Sequence, residues 1–179
     1  MQNTRWIKWV VWLIAGLLAA NILTLYLLYS QNNKVSSASA GPTEMYVLEG
    51  EDSGDAAWKI ENYKIIKSSN ASIWRGSGQL TYLGNEEDVE DISYVAYTFY
   101  EQQDGHSIGV LASAHTAEGG SAIQKVTDVG SISGDASIPE QLSTREDIEL
   151  SYLEIEWKDH LGKMNKEKIE LMVKEYVAF

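Results

Sequence analysis

The stretch SYVAYTFYE, from Ser93 to Glu101, is the most strand-like segment of the chain and decides its fold class. Tyrosine, phenylalanine and β-branched residues, which favour strands, make up most of it. Val95, Tyr97 and Phe99 recur at every second position and therefore share one face. Because side chains on both faces can be covered, the segment predicts a central strand of a sheet.

A tight turn follows this strand and leads into a second one. The dipeptide DG at 104–105 is typical of a two-residue hairpin turn. Residues 107–114 then place Ile108, Val110 and Ala112 on one face of a strand. We therefore predict that the two strands pair as a hairpin.

A change of parity earlier in the chain marks an irregularity. Trp58 and Ile60 alternate with polar residues, and after residues 61–62 the apolar residues resume on the opposite parity, at Tyr63 and Ile65. A phase change of this kind inside a strand usually marks a β-bulge. The sequence therefore predicts a bulged strand here.

Turn signals and short apolar runs continue to the C-terminus. Residues 84–91, GNEEDVED, predict an acidic loop, and serine three before glutamate, at Ser143 and Glu146, predicts at most one helical turn. Ile169 and Val173 belong to a returning strand, with a helix as the alternative.

These segments together predict an all-β domain. About eight short strands follow one another roughly every 10–15 residues, with Gly, Asp and Asn turns between them. This spacing is typical of an antiparallel β-sandwich, of which the immunoglobulin-like arrangement is the commonest form.

Length, charge and cysteine content restrict what this domain can be. Met45 to Phe179 is 135 residues, enough for one domain with a single core. It carries 25 acidic and 11 basic residues, a formal charge of −14, and phosphate backbones would repel it. We therefore predict no nucleic-acid partner. The chain contains no cysteine, so packing without disulfides must stabilise the domain.

A long apolar run precedes the domain. Residues 9–29, WVVWLIAGLLAANILTLYLLY, contain no charged side chain and predict one N-terminal transmembrane helix. At a rise of ~1.5 Å per residue, the run matches the hydrocarbon core of a bilayer. The predicted organisation is a cytoplasmic stub (1–8), a membrane helix (9–29), a flexible linker (30–44) and an extracytoplasmic domain (45–179).

Basic residues determine the predicted orientation. Arg5 and Lys8 flank the first end of the apolar run, and Lys34 alone follows its second end before the domain. The positive-inside bias places the N-terminus in the cytoplasm and the domain outside the membrane of what we take to be a bacterial cell. The alternative is a signal peptide cleaved after Ala40, because the ASA at 38–40 has the form of a cleavage site.

Two small residues in the apolar run are candidates for helix packing. Gly16 and Ala20 form a small-xxx-small pattern, which lets two membrane helices approach closely. They predict a homodimer through the membrane helix. The competing interpretation is that small residues are simply common in membrane helices.

Aromatic residues are the main candidate binding signal in the domain. Tyr94 and Tyr100 share one face of the central strand, and Trp74 lies in another predicted strand. Aromatic rings on an exposed sheet face can form a recognition surface. The competing interpretation is that these rings complete the core.

Histidines and an acidic loop supply the other candidates. His106 and His115 would bind a metal ion if they met across the hairpin, whereas solvated turn histidines are the plainer interpretation. Asp88, Glu90 and Asp91 lie together but lack the twelve-residue calcium-binding pattern. We therefore predict no metal ion and no cofactor.

The sequence contains no familiar catalytic motif. H-E-x-x-H, G-x-S-x-G and phosphate-binding glycine loops are all missing. We therefore predict a non-enzymatic, single-pass membrane protein that presents a binding domain to a protein or cell-envelope component. The alternatives are a structural subunit of a membrane complex, and an envelope hydrolase that uses scattered carboxylates such as Glu154 and Glu156.

Overall fold

The computed structural model describes residues 17, 21–24, 42–50, 54 and 56–179 of the 179-residue chain. Residue contacts divide the chain into two compact units, Met1–Ala40 and Gly41–Phe179. The described part of the second unit contains eleven strands: β1 (Glu44–Gly50), β2 (Trp58–Glu61), β3 (Tyr63–Lys67), β4 (Ser72–Gly76), β5 (Gln79–Tyr82), β6 (Tyr94–Gln103), β7 (His106–Thr116), β8 (Val126–Asp128), β9 (Ser131–Asp135), β10 (Tyr152–Lys158) and β11 (Met164–Ala178). It also contains three helices of five residues each: α1 (Glu86–Glu90), α2 (Ile138–Leu142) and α3 (Arg145–Glu149).

Eight strands form one sheet in the order β7-β6-β10-β11-β1-β3-β4-β9, and every neighbouring pair is antiparallel. β2, β5 and β8 form a second, smaller antiparallel sheet. The prediction of an antiparallel all-β domain is confirmed. The larger sheet therefore contains eight of the eleven strands in the described part of the chain.

The larger sheet curls until it is nearly closed, like a barrel. Tyr63 on β3 stacks on Phe99 on β6 with ring centroids 4.0 Å apart, although three strands lie between them in the sheet. Arg75 on β4 likewise reaches Glu101 on β6 across four intervening strands. The natural twist of long sheets favours this coiling, which brings distant strands into one core.

The smaller sheet packs against the larger one. The Trp58 ring on β2 lies 5.9 Å from the Trp157 ring on β10 and 4.9 Å from the Tyr82 ring on β5. Just before β2, the Ala57 N–H donates to a Glu167 carboxylate oxygen on β11 at 3.0 Å, and burial raises the pKa of Glu167. The hydrophobic core therefore extends from the curled sheet to the smaller one.

The change of parity around Asn62 is a change of sheet. Trp58 and Ile60 are buried on β2 in the smaller sheet, whereas Tyr63 and Ile65 are buried on β3 in the larger one. Asn62 joins the two strands with a left-handed φ of 57°. The predicted bulge is wrong, because each strand presents its own apolar face to the shared core.

The hairpin of β6 and β7 is confirmed. Gln103 pairs with His106 across the two turn residues, Asp104 and Gly105, whose φ angles are 52° and 75°. Positive φ at both positions is the conformation that Asp-Gly adopts in a two-residue hairpin turn.

The predicted apolar face of β7 is wrong. The register shifts between Phe99 and Tyr100, where Val110 is left over on the β7 side. As a result, Leu111 is buried opposite Phe99 and Ala112 is exposed, whereas Ile108 lies opposite Glu101 before the shift. One extra residue in a strand reverses the side of the sheet that the following side chains occupy.

The helical turns are short and well capped. Ser137 accepts a hydrogen bond from the Glu140 N–H at the start of α2, and Thr144 accepts one from the Asp147 N–H at the start of α3. Both are capping boxes, in which the acidic side chain reciprocates. The predicted helical turn exists, but its cap is Thr144, one residue after Ser143.

Two further predictions have mixed outcomes. The stretch 84–91 contains α1, so the prediction of a loop throughout is wrong. The returning strand is confirmed as β11, and the helical alternative there is wrong. β11 is long because its first half pairs with β10 and its second half with β1.

The predicted membrane helix at 9–29 lies mostly outside the described residues. Leu17 and the segment 21–24 are helical, and the Asn21 side-chain amide donates to the Leu17 carbonyl at 2.9 Å. Among the described residues, no helix is both long and apolar enough to cross a membrane. The membrane helix and the packing face of Gly16 and Ala20, which are also outside the described residues, stay predictions.

Candidate functional site

A cleft of about 340 Å³ opens where the larger sheet fails to close. Its walls are the two outermost strands of that sheet, β7 and β9, and β4 contributes to its floor. The apolar residues that line it are Ile73, Ile108, Val110 and Ile132, and the main polar ones are Arg75, Gln103, Asp135 and Glu140. The cleft therefore combines an apolar surface with a few polar groups, as binding sites do.

A cluster of three charged side chains lies at the cleft. The Arg75 Nε donates to Glu101 Oε1 at 2.6 Å, and its Nη2 donates to Glu101 Oε2 at 2.7 Å. Nη2 also donates to Glu140 Oε1 at 2.8 Å. Arg75 is 5% exposed and Glu101 6% exposed. We call these three residues the Arg75 cluster; it ties β4, β6 and α2 together across the opening of the sheet.

The electrostatics of the Arg75 cluster favour the charged forms of Arg75 and Glu140. Burial lowers the pKa of Arg75, but the hydrogen bonds and charges of Glu101 and Glu140 raise it by a larger amount. The net shift of this pKa is therefore upward. Burial raises the pKa of Glu140, but hydrogen bonds from Ser137 and Arg75 lower it more. Two carboxylates beside one guanidinium give the cluster a formal charge of −1.

The sequence contains a signal for this cluster that residue-by-residue motifs do not reveal. Glu101 continues the parity of Val95, Tyr97 and Phe99, which are all buried. Arg75 likewise follows Ile73 at inward parity on β4. A charged residue at an inward position of an otherwise apolar strand is costly unless it is paired, so each one points to a partner elsewhere.

The buried hydroxyl of Tyr63 offers a first test of this region. Its oxygen has no hydrogen-bond partner among the described residues, and burial, together with the charge of Glu101, raises its pKa. An unpaired buried hydroxyl costs about 1–3 kcal/mol. We expect Tyr63→Phe to raise the urea midpoint of unfolding, since the ring still stacks on Phe99. A lower midpoint would show that the hydroxyl has a stabilising partner.

The three aromatic residues predicted as an interaction face are not brought together. Tyr94 and Tyr100 are half-buried at opposite ends of the same strand, about 20 Å apart at the usual rise. Trp74 is half-buried on β4, with four strands between it and β6 in the sheet. Tyr100 instead stacks on Tyr152 of β10, with ring centroids 4.8 Å apart.

The histidine and calcium alternatives gain no support from the geometry. His106 and His115 lie near opposite ends of β7, opposite Gln103 and Val95 respectively, too far apart to share a metal ion. Asp88 approaches His160 at 3.7 Å. The described part of the chain contains no group of three or more side chains able to hold a metal ion.

The carboxylates of the hydrolase alternative lie on the outer face of β10. Glu154 and Glu156 both pair with Lys166 on β11, at 3.0 and 3.2 Å. Residues two apart on a strand share a face, and here a lysine occupies the space between the two carboxylates. This is the arrangement of a solvated ion pair rather than of an acid and a base around a substrate.

His115 lines a second hollow, of about 320 Å³, and belongs to a serine–histidine pair that the sequence analysis did not identify. The Ser113 Oγ and His115 Nε2 lie 2.9 Å apart on β7. Among the described residues, none hydrogen-bonds the other ring nitrogen of His115. A nucleophilic pair usually relies on a third group that orients the base, so this pair is incomplete as a catalytic device.

No protein-family model matches the chain, and no curated protein is significantly similar to it. The fold and the cleft therefore define the class by themselves: an antiparallel β domain whose barrel-like sheet leaves an opening beside a buried cluster of charges.

Proposed function

We propose that this chain is a non-enzymatic interaction module that binds a protein or a cell-envelope component in the cleft between β7 and β9. The apolar run at 9–29 holds the domain at the outer side of the membrane, with the N-terminus in the cytoplasm. The observation that carries the proposal is the opening of the larger sheet, where two strand edges face one apolar-lined cleft.

The size and chemistry of the cleft support binding. Binding pockets in proteins usually have volumes of about 300–1,000 Å³, with apolar walls and a few placed polar groups. At about 340 Å³ the cleft belongs at the small end of this range. The Arg75 cluster also makes its floor rigid, because three charge-assisted hydrogen bonds hold it.

The absence of cysteine allows location and binding to be tested together. One cysteine would replace Ile132 in the cleft, and a matched one would replace Val126 on β8. The native side chains at these positions are 49% and 50% exposed. Intact cells expressing each full-length variant would be treated with a membrane-impermeant maleimide photocrosslinker. We expect both cysteines to be labelled and Ile132→Cys to yield a crosslinked partner that Val126→Cys does not.

Each part of the proposal has its own contradicting result. Labelling that requires permeabilised cells would place the domain on the inner side of the membrane. Labelling at both positions, with the same products from both, would show that the cleft is not the binding site. A partner crosslinked from Val126→Cys alone would move the site to the smaller sheet.

A further inference from the structure

The exposed edge of β7 suggests how the cleft binds. Building on the function proposed above, we propose that β7 binds an extended, positively charged peptide segment of a partner protein, which adds to the larger sheet as a further strand in the cleft.

Of the features that usually protect the edge of a sheet, β7 has only one, the register shift at Val110. It is eleven residues long, and its sequence, HSIGVLASAHT, contains no Lys, Arg, Asp, Glu or Pro. In the described part of the chain it pairs with β6 alone, so its other edge presents unpaired N–H and C=O groups. Soluble proteins usually block such edges with charges, proline or very short strands. A long uncharged edge is therefore a template for strand addition.

The direction of the strands favours pairing with β7 over pairing with β9. Because all neighbouring pairs are antiparallel, the first and eighth strands, β7 and β9, run in opposite directions. An added peptide that is antiparallel to β7 is therefore parallel to β9. Antiparallel pairs are slightly more stable for each residue, and β7 is more than twice as long as β9. The peptide would take its hydrogen bonds from β7 and place alternate side chains in the cleft.

The negative charge around the cleft and of the whole domain indicates which kind of peptide would bind. Arg75 pairs with Glu101 and Glu140, and Asp135 also lines the cleft, so these four side chains have a formal charge of −2. The domain as a whole, from Met45 to Phe179, has a formal charge of −14. A second copy of this chain would be repelled, whereas a cationic strand would be attracted and steered toward the cleft. The apolar lining, represented by Ile108 and Ile132, favours apolar residues at alternate positions.

A synthetic peptide tests this proposal directly. Fluorescein-labelled VKVKVKVK, with both termini blocked, would be titrated with the full-length protein in nanodiscs, with empty nanodiscs as the blank. We expect binding in the micromolar to millimolar range and no binding of VEVEVEVE. Two N-methylated forms of the peptide would be compared, one methylated at the odd residues and one at the even residues. One of the two should bind at least about tenfold more weakly, because it lacks the N–H groups that face β7.

Two variants with the same added charge locate the site. Ile108→Lys places a lysine in the cleft, and Val126→Lys places one outside it, at positions that are 43% and 50% exposed. We expect the first to weaken peptide binding about tenfold and the second to leave it nearly unchanged. Circular dichroism of both proteins checks that they remain folded.

Three outcomes would overturn the proposal. One is the absence of VKVKVKVK binding at millimolar concentration, and another is binding that neither N-methylated peptide weakens. The third is a dimer of the full chain that Ile108→Lys abolishes, which would assign the edge to a second copy. If any of these occurs while Ile132→Cys still captures a partner in cells, strand addition fails but the proposed binding function stands.

Discussion

Replacing Arg75 with methionine is expected to destabilise the domain by about 3–5 kcal/mol, because it leaves the Glu101 carboxylate buried without a cation. Glu101 is 6% exposed, and its carboxylate accepts two hydrogen bonds from this guanidinium, at 2.6 and 2.7 Å. Methionine keeps an unbranched apolar stem but not the guanidinium, so loss of the charge and of its hydrogen bonds should dominate. The measurement is the urea midpoint of the full-length protein, followed by near-ultraviolet circular dichroism.

Two controls separate this effect from simple loss of an ion pair. Arg145 makes an exposed pair with Glu149 at 2.8 Å, and Arg145→Met should cost less than about 1 kcal/mol. Combining Arg75→Met with Glu101→Leu should recover most of the lost stability, because no buried carboxylate is then left beside an apolar side chain. Equal losses for Arg75→Met and Arg145→Met would show that the Arg75 cluster is not buried as described.

Gly76→Ala is expected to lower stability by about 3 kcal/mol, from backbone strain and overpacking combined. Gly76 has a φ of 143°, and a Cβ there would overlap the Gly130 carbonyl oxygen and would lie 2.6 Å from the Ser131 Cα. Both neighbours are backbone atoms, so neither can move aside without shifting the start of β9. Urea unfolding measures the loss of stability.

A second glycine on the same pair of strands provides the control. Gly134 lies on β9 opposite Ile73, has no positive φ, and a Cβ there would have nothing within 4 Å. Gly134→Ala should therefore change stability by less than about 1 kcal/mol. Because β9 forms one wall of the cleft, Gly76→Ala should also reduce crosslinking from Ile132→Cys. A neutral Gly76→Ala variant would mean that β9 moves freely and that the cleft has no fixed wall.

Local pattern predicted the strands that alternate cleanly and failed where a strand changes sheet or register. The run Val95, Tyr97, Phe99 and the Asp-Gly turn identify the β6–β7 hairpin because all the information lies in one continuous stretch of sequence, residues 93–114. At Asn62 the same alternation predicts a bulge, whereas the chain passes there from one sheet to the other. Periodicity indicates which side of a strand is buried, but it does not indicate which sheet the strand belongs to.

The candidate site shows a larger gap between sequence and structure. The sequence predicts Tyr94, Tyr100 and Trp74 as one interaction face, yet four strands lie between β4, which carries Trp74, and β6, which carries both tyrosines. Arg75 and Glu101 are 26 residues apart in sequence, and Glu140 is a further 39 along, yet the curl of the sheet joins them through hydrogen bonds of 2.6 to 2.8 Å.

The amino-acid sequence by itself determined that the domain is antiparallel and all-β, that it is strongly acidic and that it folds without disulfides, because composition and two-residue periodicity act locally. The tertiary structure alone decided that the larger sheet stops short of closure and that an ionic cluster and a bare strand edge meet at the opening. Those features depend on the order and coiling of eight strands, which no local stretch of sequence contains.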